Sequence, residues 1–384
     1  MVKLLKVSGD HNNNKFYDMT EFPDGTFSAK WGRVGGSIAS KNFPMTKWKS
    51  KYNEKIREGY QDITSLKVIP TSFKDISSTT VSHFLKQLQT YATTSVTQNY
   101  LVSADGVSQA QIDAAQVIID QLVLIKDNTV SFNKKLEELF IIIPRKMGKV
   151  KDFLWDTGAD NRNLIIDREQ SALDAMSGQV SLSSDDSSET LLDAMDLTIE
   201  EVNKDDTSII LKSLNESSDY FKTAFRVVNH KTQKIFDEYH KTTKNKETKL
   251  FWHGSRNENW FNILRTGLLI RPANVTHTGN MYGYGIYFAN KAKKSIGYTS
   301  LNGSYWARGL ESTGYLALYE VHVGNKFEVS RHDSQYYTFN YDSLRRKGEY
   351  DSLYAKAGIS IYNDEFVIYN TQQCTIKYIV ELKK

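Results

Sequence analysis

Apolar and polar positions along this 384-residue chain fall into three textures. Over residues 1–65 they alternate in short runs, Lys15-Phe16-Tyr17-Asp18-Met19 and Thr26-Phe27-Ser28-Ala29, punctuated by Asp24-Gly25 and Gly35-Gly36. Period-two alternation broken by such dipeptides predicts antiparallel strands joined by tight turns. Between Thr46 and Tyr60, the side chains of Trp48, Tyr52, Ile56 and Tyr60 recur every four residues, which predicts one helix packed on that sheet. From residue 80 to 180 the period is helical. Ser108 to Ile125 sets Ile112, Ala115, Ile119 and Leu122 on one face behind Ser108 as N-cap; Phe132 to Ile142 repeats the pattern until Pro144 closes it; a further run lies near 167–177. These runs predict a small all-α bundle. A Ser/Asp-rich stretch, 177–188, reads as a linker. Beyond it the chain is mostly strand: Leu250–His253, Gly285–Ala289, Tyr315–Val323, Glu365–Tyr369 and Ile376–Leu382, with a short helix from Asn257 to Leu264 stopped by Gly267. The expected fold is α+β and multidomain.

Composition narrows the picture. The longest apolar runs, Leu122–Ile125 and Leu139–Ile143, are far too short to span a bilayer, and the N-terminal stretch has no apolar segment that predicts a secretory signal. Neither membrane partner nor export is expected, and the expected location is intracellular: nuclear in a eukaryotic host, cytoplasmic in a bacterial one. Cys374 is the single cysteine, which excludes an internal disulfide and a cysteine-based zinc or redox centre, so no metal is expected. Net charge is only +4, but it is uneven: +5 over residues 1–70, −2 over 71–180, −8 over 181–206 and +9 over 207–384. A basic head of that size suits phosphate backbones, and equally suits a solvated surface.

Candidate chemistry clusters in the last segment. Trp252-His253-Gly254-Ser255 ends a strand that runs into a helix, where a glycine lets a ligand approach the backbone beside two hydrogen-bonding side chains. Gly283-Tyr284-Gly285-Ile286-Tyr287-Phe288-Ala289 places Tyr287 on a strand after two glycines, Lys294-Ser295-Ile296-Gly297-Tyr298 adds a hydroxyl and a second ring, and Asn363-Asp364-Glu365-Phe366 starts a strand with a carboxylate. Each alone reads as structural. No GxGxxG, P-loop or HExxH pattern is present, so a Rossmann or P-loop nucleotide site is not expected.

Together, and in this order, these motifs resemble the catalytic domain of the poly(ADP-ribose) polymerases, whose His–Tyr–Glu triad is matched by His253, Tyr287 and Glu365. The resemblance extends upstream. LFIIIPRKMG at 139–148 and VSQAQIDAAQVII at 107–119 are similar to the family's helical regulatory domain, and Lys30-Trp31-Gly32-Arg33-Val34-Gly35 resembles the WGR domain that such enzymes use on DNA breaks. The implied domains are a WGR sheet with a packed helix at 1–70, an all-α regulatory bundle at 78–180 and a mixed α/β ADP-ribosyltransferase domain at 189–384, the layout of the small DNA-dependent members. The resemblance implies NAD+ as a consumed substrate. Gly254 and Ser295 hold the nicotinamide amide, Tyr298 and Tyr287 flank its ring, His253 with Ser255 nearby binds ribose hydroxyls, and Glu365 polarises the acceptor hydroxyl. A glutamate there implies chain growth. Two departures stand out: Leu269 replaces an adenosine-side arginine, so that Arg271 substitutes or NAD+ affinity is lower, and Asp364 replaces an asparagine.

On composition alone Trp31 reads better as a core tryptophan than as a ligand contact; the resemblance reverses that preference. Trp31 then stacks on damaged DNA while Lys30, Arg33 and Lys41 meet phosphate, with Lys47 and Lys49 as further candidates. The expected activity is DNA-break-activated transfer of ADP-ribose from NAD+ to protein acceptors, itself included, with polymer growth. The alternatives are a catalytically inactive DNA-end-binding scaffold and an enzyme limited to mono-ADP-ribosylation.

Overall fold

A computed structural model describes residues 1–9, 13–34, 36–63, 73–102, 104, 107–156, 158, 161–180, 189–270 and 281–384. Arg271, Gly35 and residues 181–188 of the expected linker lie outside the described residues. The chain divides into two compact units, Met1–Pro70 with Thr93–Ser183, and Thr71–Ala92 with Ser184–Lys384.

The first unit opens with β1 (Val2–Ser8), β2 (Asn13–Glu21), β3 (Thr26–Arg33), β4 (Ile38–Pro44), α1 (Trp48–Arg57) and β5 (Gln61–Asp62). The strands form one antiparallel sheet in the order β4-β3-β2-β1-β5. Alternation does what the sequence predicts: Leu4, Tyr17, Met19, Phe27 and Ala29 point to one face, where Trp48 and Tyr52 of α1 cover them. Gly32 is required there, because a Cβ would stand 2.4 Å from the Ser37 carbonyl oxygen. The helices are α2 (Thr79–Asn99), which the division of the chain cuts after Ala92, α3 (Gln109–Leu124), α4 (Thr129–Ile142) and α5 (Arg162–Val180). Ser108 caps α3 in a capping box with Gln111. Behind α4, the buried Arg145 guanidinium meets Glu169 at 3.0 Å and lies over the Tyr100 ring. A buried pair of that kind fixes which helices meet rather than adding much stability. Asn14 of β2 donates to the Met147 carbonyl at 3.0 Å, and Arg33 Nε to that of Gly148 at 3.2 Å, so sheet and helices share one unit.

The second unit continues with α6 (Leu191–Ala194), β6 (Leu197–Glu201), α7 (Lys204–Leu214), β7 (Phe221–Asn229), α8 (His230–Thr242), β8 (Thr248–Gly254), α9 (Asn257–Thr266), β9 (Ile286–Phe288), α10 (Ala292–Ile296), β10 (Thr313–His322), β11 (Lys326–Val329), α11 (Tyr341–Lys347), β12 (Ser352–Ala355), β13 (Glu365–Ile368) and β14 (Cys374–Lys383). Two sheets result, β6-β7-β14-β10-β8 and β11-β12-β13-β9. Leu316 and Leu318 of β10 and Val380 and Leu382 of β14 pack with Trp252, Ile210 and Leu214 in the core of the larger sheet. The first turns of α2 belong here: Phe84 stacks on Phe225 of β7 with ring centroids 4.4 Å apart, and meets Tyr315 of β10 edge-on. The two sheets are stitched where Trp252 and Ala289 exchange backbone hydrogen bonds of 2.8 and 3.0 Å. That seam sets His253 beside Tyr287. No helix among the described residues is long and apolar enough to cross a membrane.

Candidate active site

A cleft of about 310 Å³ opens at the seam. His253, Gly254, Leu268, Leu269, Gly285, Tyr287, Lys294, Ser295, Tyr298 and Glu365 are among its lining residues. Strand register explains the convergence. On β13, Val367 pairs with Tyr287 and Phe366 with Phe288, so Glu365 at the strand's start lies level with the end of β9.

His253 Nδ1 lies 3.0 Å from the Tyr287 carbonyl oxygen, which can only accept, so Nδ1 carries the proton and Nε2 keeps its lone pair. Desolvation holds the imidazole below its ordinary pKa, partly countered by that hydrogen bond. A neutral ring with a free Nε2 is an acceptor for a ligand hydroxyl. Trp260, Phe288 and Tyr319 hold the ring edge-on from three sides.

Gly254 has no substitute. A Cβ there would lie 2.0 Å from the Ser295 carbonyl oxygen, so β8 and α10 meet backbone to backbone. Buried Ser295 donates from Oγ to the Trp252 carbonyl at 3.2 Å and retains lone pairs to accept an amide N–H.

Tyr287 is a fixed wall. Its hydroxyl donates to the Gly283 carbonyl and accepts from the Tyr282 N–H, both at 2.9 Å, and burial raises its pKa well above the usual value. Gly283 makes that turn possible, with φ of +79° and a Cβ position 2.1 Å from the Phe339 carbonyl oxygen. Tyr298 faces the same cleft; desolvation and then the Glu365 charge push its hydroxyl up to about 12. Both phenols are neutral at physiological pH and offer ring faces rather than charge.

Glu365, 6% exposed, is the only acid among the described residues that line the cleft. One carboxylate oxygen is ion-paired with Lys294 Nζ. The other, Oε2, is buried with no hydrogen-bond partner among the described residues, an acceptor left open beside the cleft. Asp364 faces away from this chemistry: it accepts from Asn290 Nδ2, Tyr354 Oη and the Ala357 N–H, tying three segments together behind Glu365.

Of the residues expected from sequence, His253, Gly254, Tyr287, Ser295, Tyr298 and Glu365 share this cleft. Ser255 does not line it; its hydroxyl accepts from Asn259 Nδ2 at 3.0 Å, inside the start of α9. Lys294 was given no role from sequence, although it directly precedes Ser295 in the motif; an ion pair across residues 294 and 365 has no sequence signal. Among the described residues no group of three or more His, Cys, Asp or Glu is gathered as a metal site would need.

The proposed nucleic-acid residues are less concentrated. Trp31, half-buried, stacks on Tyr17 with centroids 5.9 Å apart. Lys41 pairs across the strands with Ala29 and lies over the Phe43 ring, so it shares the Trp31 face, whereas alternation turns Lys30 to the opposite face, opposite Asp18. Arg33 is bound to Gly148 as described above.

Comparison with known proteins places the same residues in a wider setting. Residues 204–384 match the poly(ADP-ribose) polymerase catalytic domain. The poly [ADP-ribose] polymerase-like protein 100L of Invertebrate iridescent virus 6 is 34% identical over 189 residues, 48% of this chain and 98% of that protein. Poly [ADP-ribose] polymerase 2 of Arabidopsis thaliana and of Homo sapiens are each 29% identical, over 38% and 35% of this chain, and the match spans only 26% of either.

Proposed function

The chain belongs to the poly(ADP-ribose) polymerase family through its catalytic domain and is an NAD+-consuming ADP-ribosyltransferase, and from that premise we propose that it elongates polymer on protein acceptors, itself included, in response to DNA breaks. The observation that carries the polymerase reading is the open, buried Oε2 of Glu365 in one cleft with His253 and Tyr287.

Nicotinamide lies between Tyr287 and Tyr298, with its carboxamide held by the Gly254 backbone and Ser295 Oγ. His253 Nε2 accepts from a ribose hydroxyl. These contacts fix the substrate's orientation, worth several kcal/mol in reactions of this type. The glycosidic C1′–N bond then breaks, its electron pair leaving with neutral nicotinamide, and positive charge develops on the ribose. The Glu365 carboxylate, buried at the edge of the cleft, stabilises that charge. It also takes the proton from the acceptor hydroxyl as the new C1′–O bond forms, so charge and atoms balance. Lys294, ion-paired with the other carboxylate oxygen, holds the carboxylate in orientation. The hydroxyl accepted in the elongation step belongs to a previously added ADP-ribose.

Activation by DNA rests on the basic first 70 residues and on Trp31, whose partly exposed indole beside Lys41 suits stacking on a base or ribose. Of the acidic, serine-rich stretch 177–188, residues 177–180 end α5, and the serines and acids after Val180 are the proposed site of automodification. Incorporation of labelled NAD+ with and without nicked DNA tests the whole reading. DNA-dependent ladders of polymer are expected. Single-unit labelling would reduce the enzyme to mono-transfer, and no labelling would leave an inactive scaffold.

A further inference from the structure

Beyond the residues that line the cleft, the loop between α10 and β10 carries an arrangement that serves no core. Trp306 is 52% exposed, yet its indole lies nearly parallel to the Tyr298 ring, 19° between planes and 6.1 Å between centroids. Tyr305 abuts it at 89° and 4.8 Å. An exposed tryptophan held this firmly is unusual for a loop, since nothing in the core requires it.

The loop's backbone is tied to the segment that carries Tyr298. The N–H groups of Trp306 and Ala307 both donate to the Gly297 carbonyl, at 2.9 and 3.1 Å. Gly297 packs closely under the indole: a Cβ there would lie 3.2 Å from Trp306 Cδ1. Gly309 donates to Ser304 Oγ at 2.7 Å and Asn302 to the Glu311 carbonyl at 2.7 Å, closing the loop on itself. Trp306 therefore covers one face of Tyr298 from outside, and Tyr298 presents the rest of its ring to the cleft that also holds Ser295 and Glu365. Without the indole, that phenol would have an open side and more freedom to rotate.

We propose that Trp306 is a positioning residue for NAD+, holding the Tyr298 ring in the plane that stacks on nicotinamide and so setting substrate affinity without touching the substrate. The inference rests on the assignment of Tyr298 to the nicotinamide ring. An offset aromatic pair at this distance contributes about 0.5–1.5 kcal/mol, which corresponds to about two- to tenfold in binding.

Steady-state kinetics of nicotinamide release by the full chain, with a benzamide inhibitor as a probe of the ring pocket, provide the test. Trp306→Ala should raise the KM for NAD+ and the inhibition constant of benzamide together, by about two- to tenfold, with kcat within about twofold. Trp306→Phe should restore both, since a smaller ring still stacks. In the wild type, benzamide should change tryptophan emission, and that change should be smaller in Trp306→Phe, where Trp252 and Trp260 still report on the cleft. Tyr298→Ala is the reference. If it leaves KM and benzamide inhibition unchanged, the nicotinamide assignment falls and the role of Trp306 with it. If it weakens both while Trp306→Ala weakens neither, or lowers only kcat and thermal stability, the Trp306 inference alone is wrong.

Discussion

At the scale of single residues, the site is built from groups whose neighbours leave them one chemical option each. Glu365 is paired with Lys294 through one oxygen and leaves the other open, so Glu365→Gln, which keeps the shape and removes the carboxylate, should lower turnover by about two to three orders of magnitude while NAD+ still binds. Single-turnover assays and equilibrium binding on the same preparation separate the two effects. Gly254→Ala should lower both activity and stability, by about 1–3 kcal/mol in denaturant unfolding, because its methyl group would meet the Ser295 carbonyl at 2.0 Å. His253, Tyr287 and Glu365 were legible in the sequence because a resemblance gathers them; nothing in their spacing shows that they meet. Lys294 has no signal in the sequence because it lies on α10 while its partner, 71 residues away, starts β13. Ser255 follows Gly254 in sequence, which suggests a place in the cleft, but the chain turns into α9 at that point and the hydroxyl turns with it.

At the scale of elements, local pattern gave strands and caps well and helix–sheet contacts poorly. The expected helix behind Ser108 begins at Gln109 under a capping box, and the expected stop at Gly267 has φ of +75°. Missed were α7, α8 and β7, whose short apolar stretches are broken by charged residues on their solvent side, and the start of α2, whose partner Phe225 is over a hundred residues distant. Phe84 is 2% exposed, so Phe84→Ala should destabilise the second unit by about 3–5 kcal/mol. Between α8 and β10, His240 and His322 face each other with Nδ1 atoms 3.2 Å apart, so one donates and the other accepts. Burial lowers the His322 pKa, Asp351 opposes this, and His240 and Lys246 reinforce it. Because the folded value lies below the unfolded one, the unfolded chain takes up the proton first as pH falls, and stability is lost below about pH 6.5. The thermal midpoint should therefore fall between pH 7.5 and 6, with a shallower slope in His322→Asn.

At the scale of the whole molecule, the proposed function assigns DNA recognition to the basic first 70 residues and ADP-ribose transfer to the cleft around Glu365. Its central claim is that Glu365 elongates polymer under DNA control, and the most direct measurement is a gel of labelled NAD+ incorporation by wild type, Glu365→Gln and Trp31→Ala, each with and without nicked DNA. We expect weak labelling of the wild type alone, a long ladder once nicked DNA is added, no ladder from Glu365→Gln under either condition, and a Trp31→Ala enzyme that stays at the weak basal level. Ladders of wild-type length from Glu365→Gln, or full wild-type activity without DNA that Trp31→Ala leaves unchanged, would contradict it.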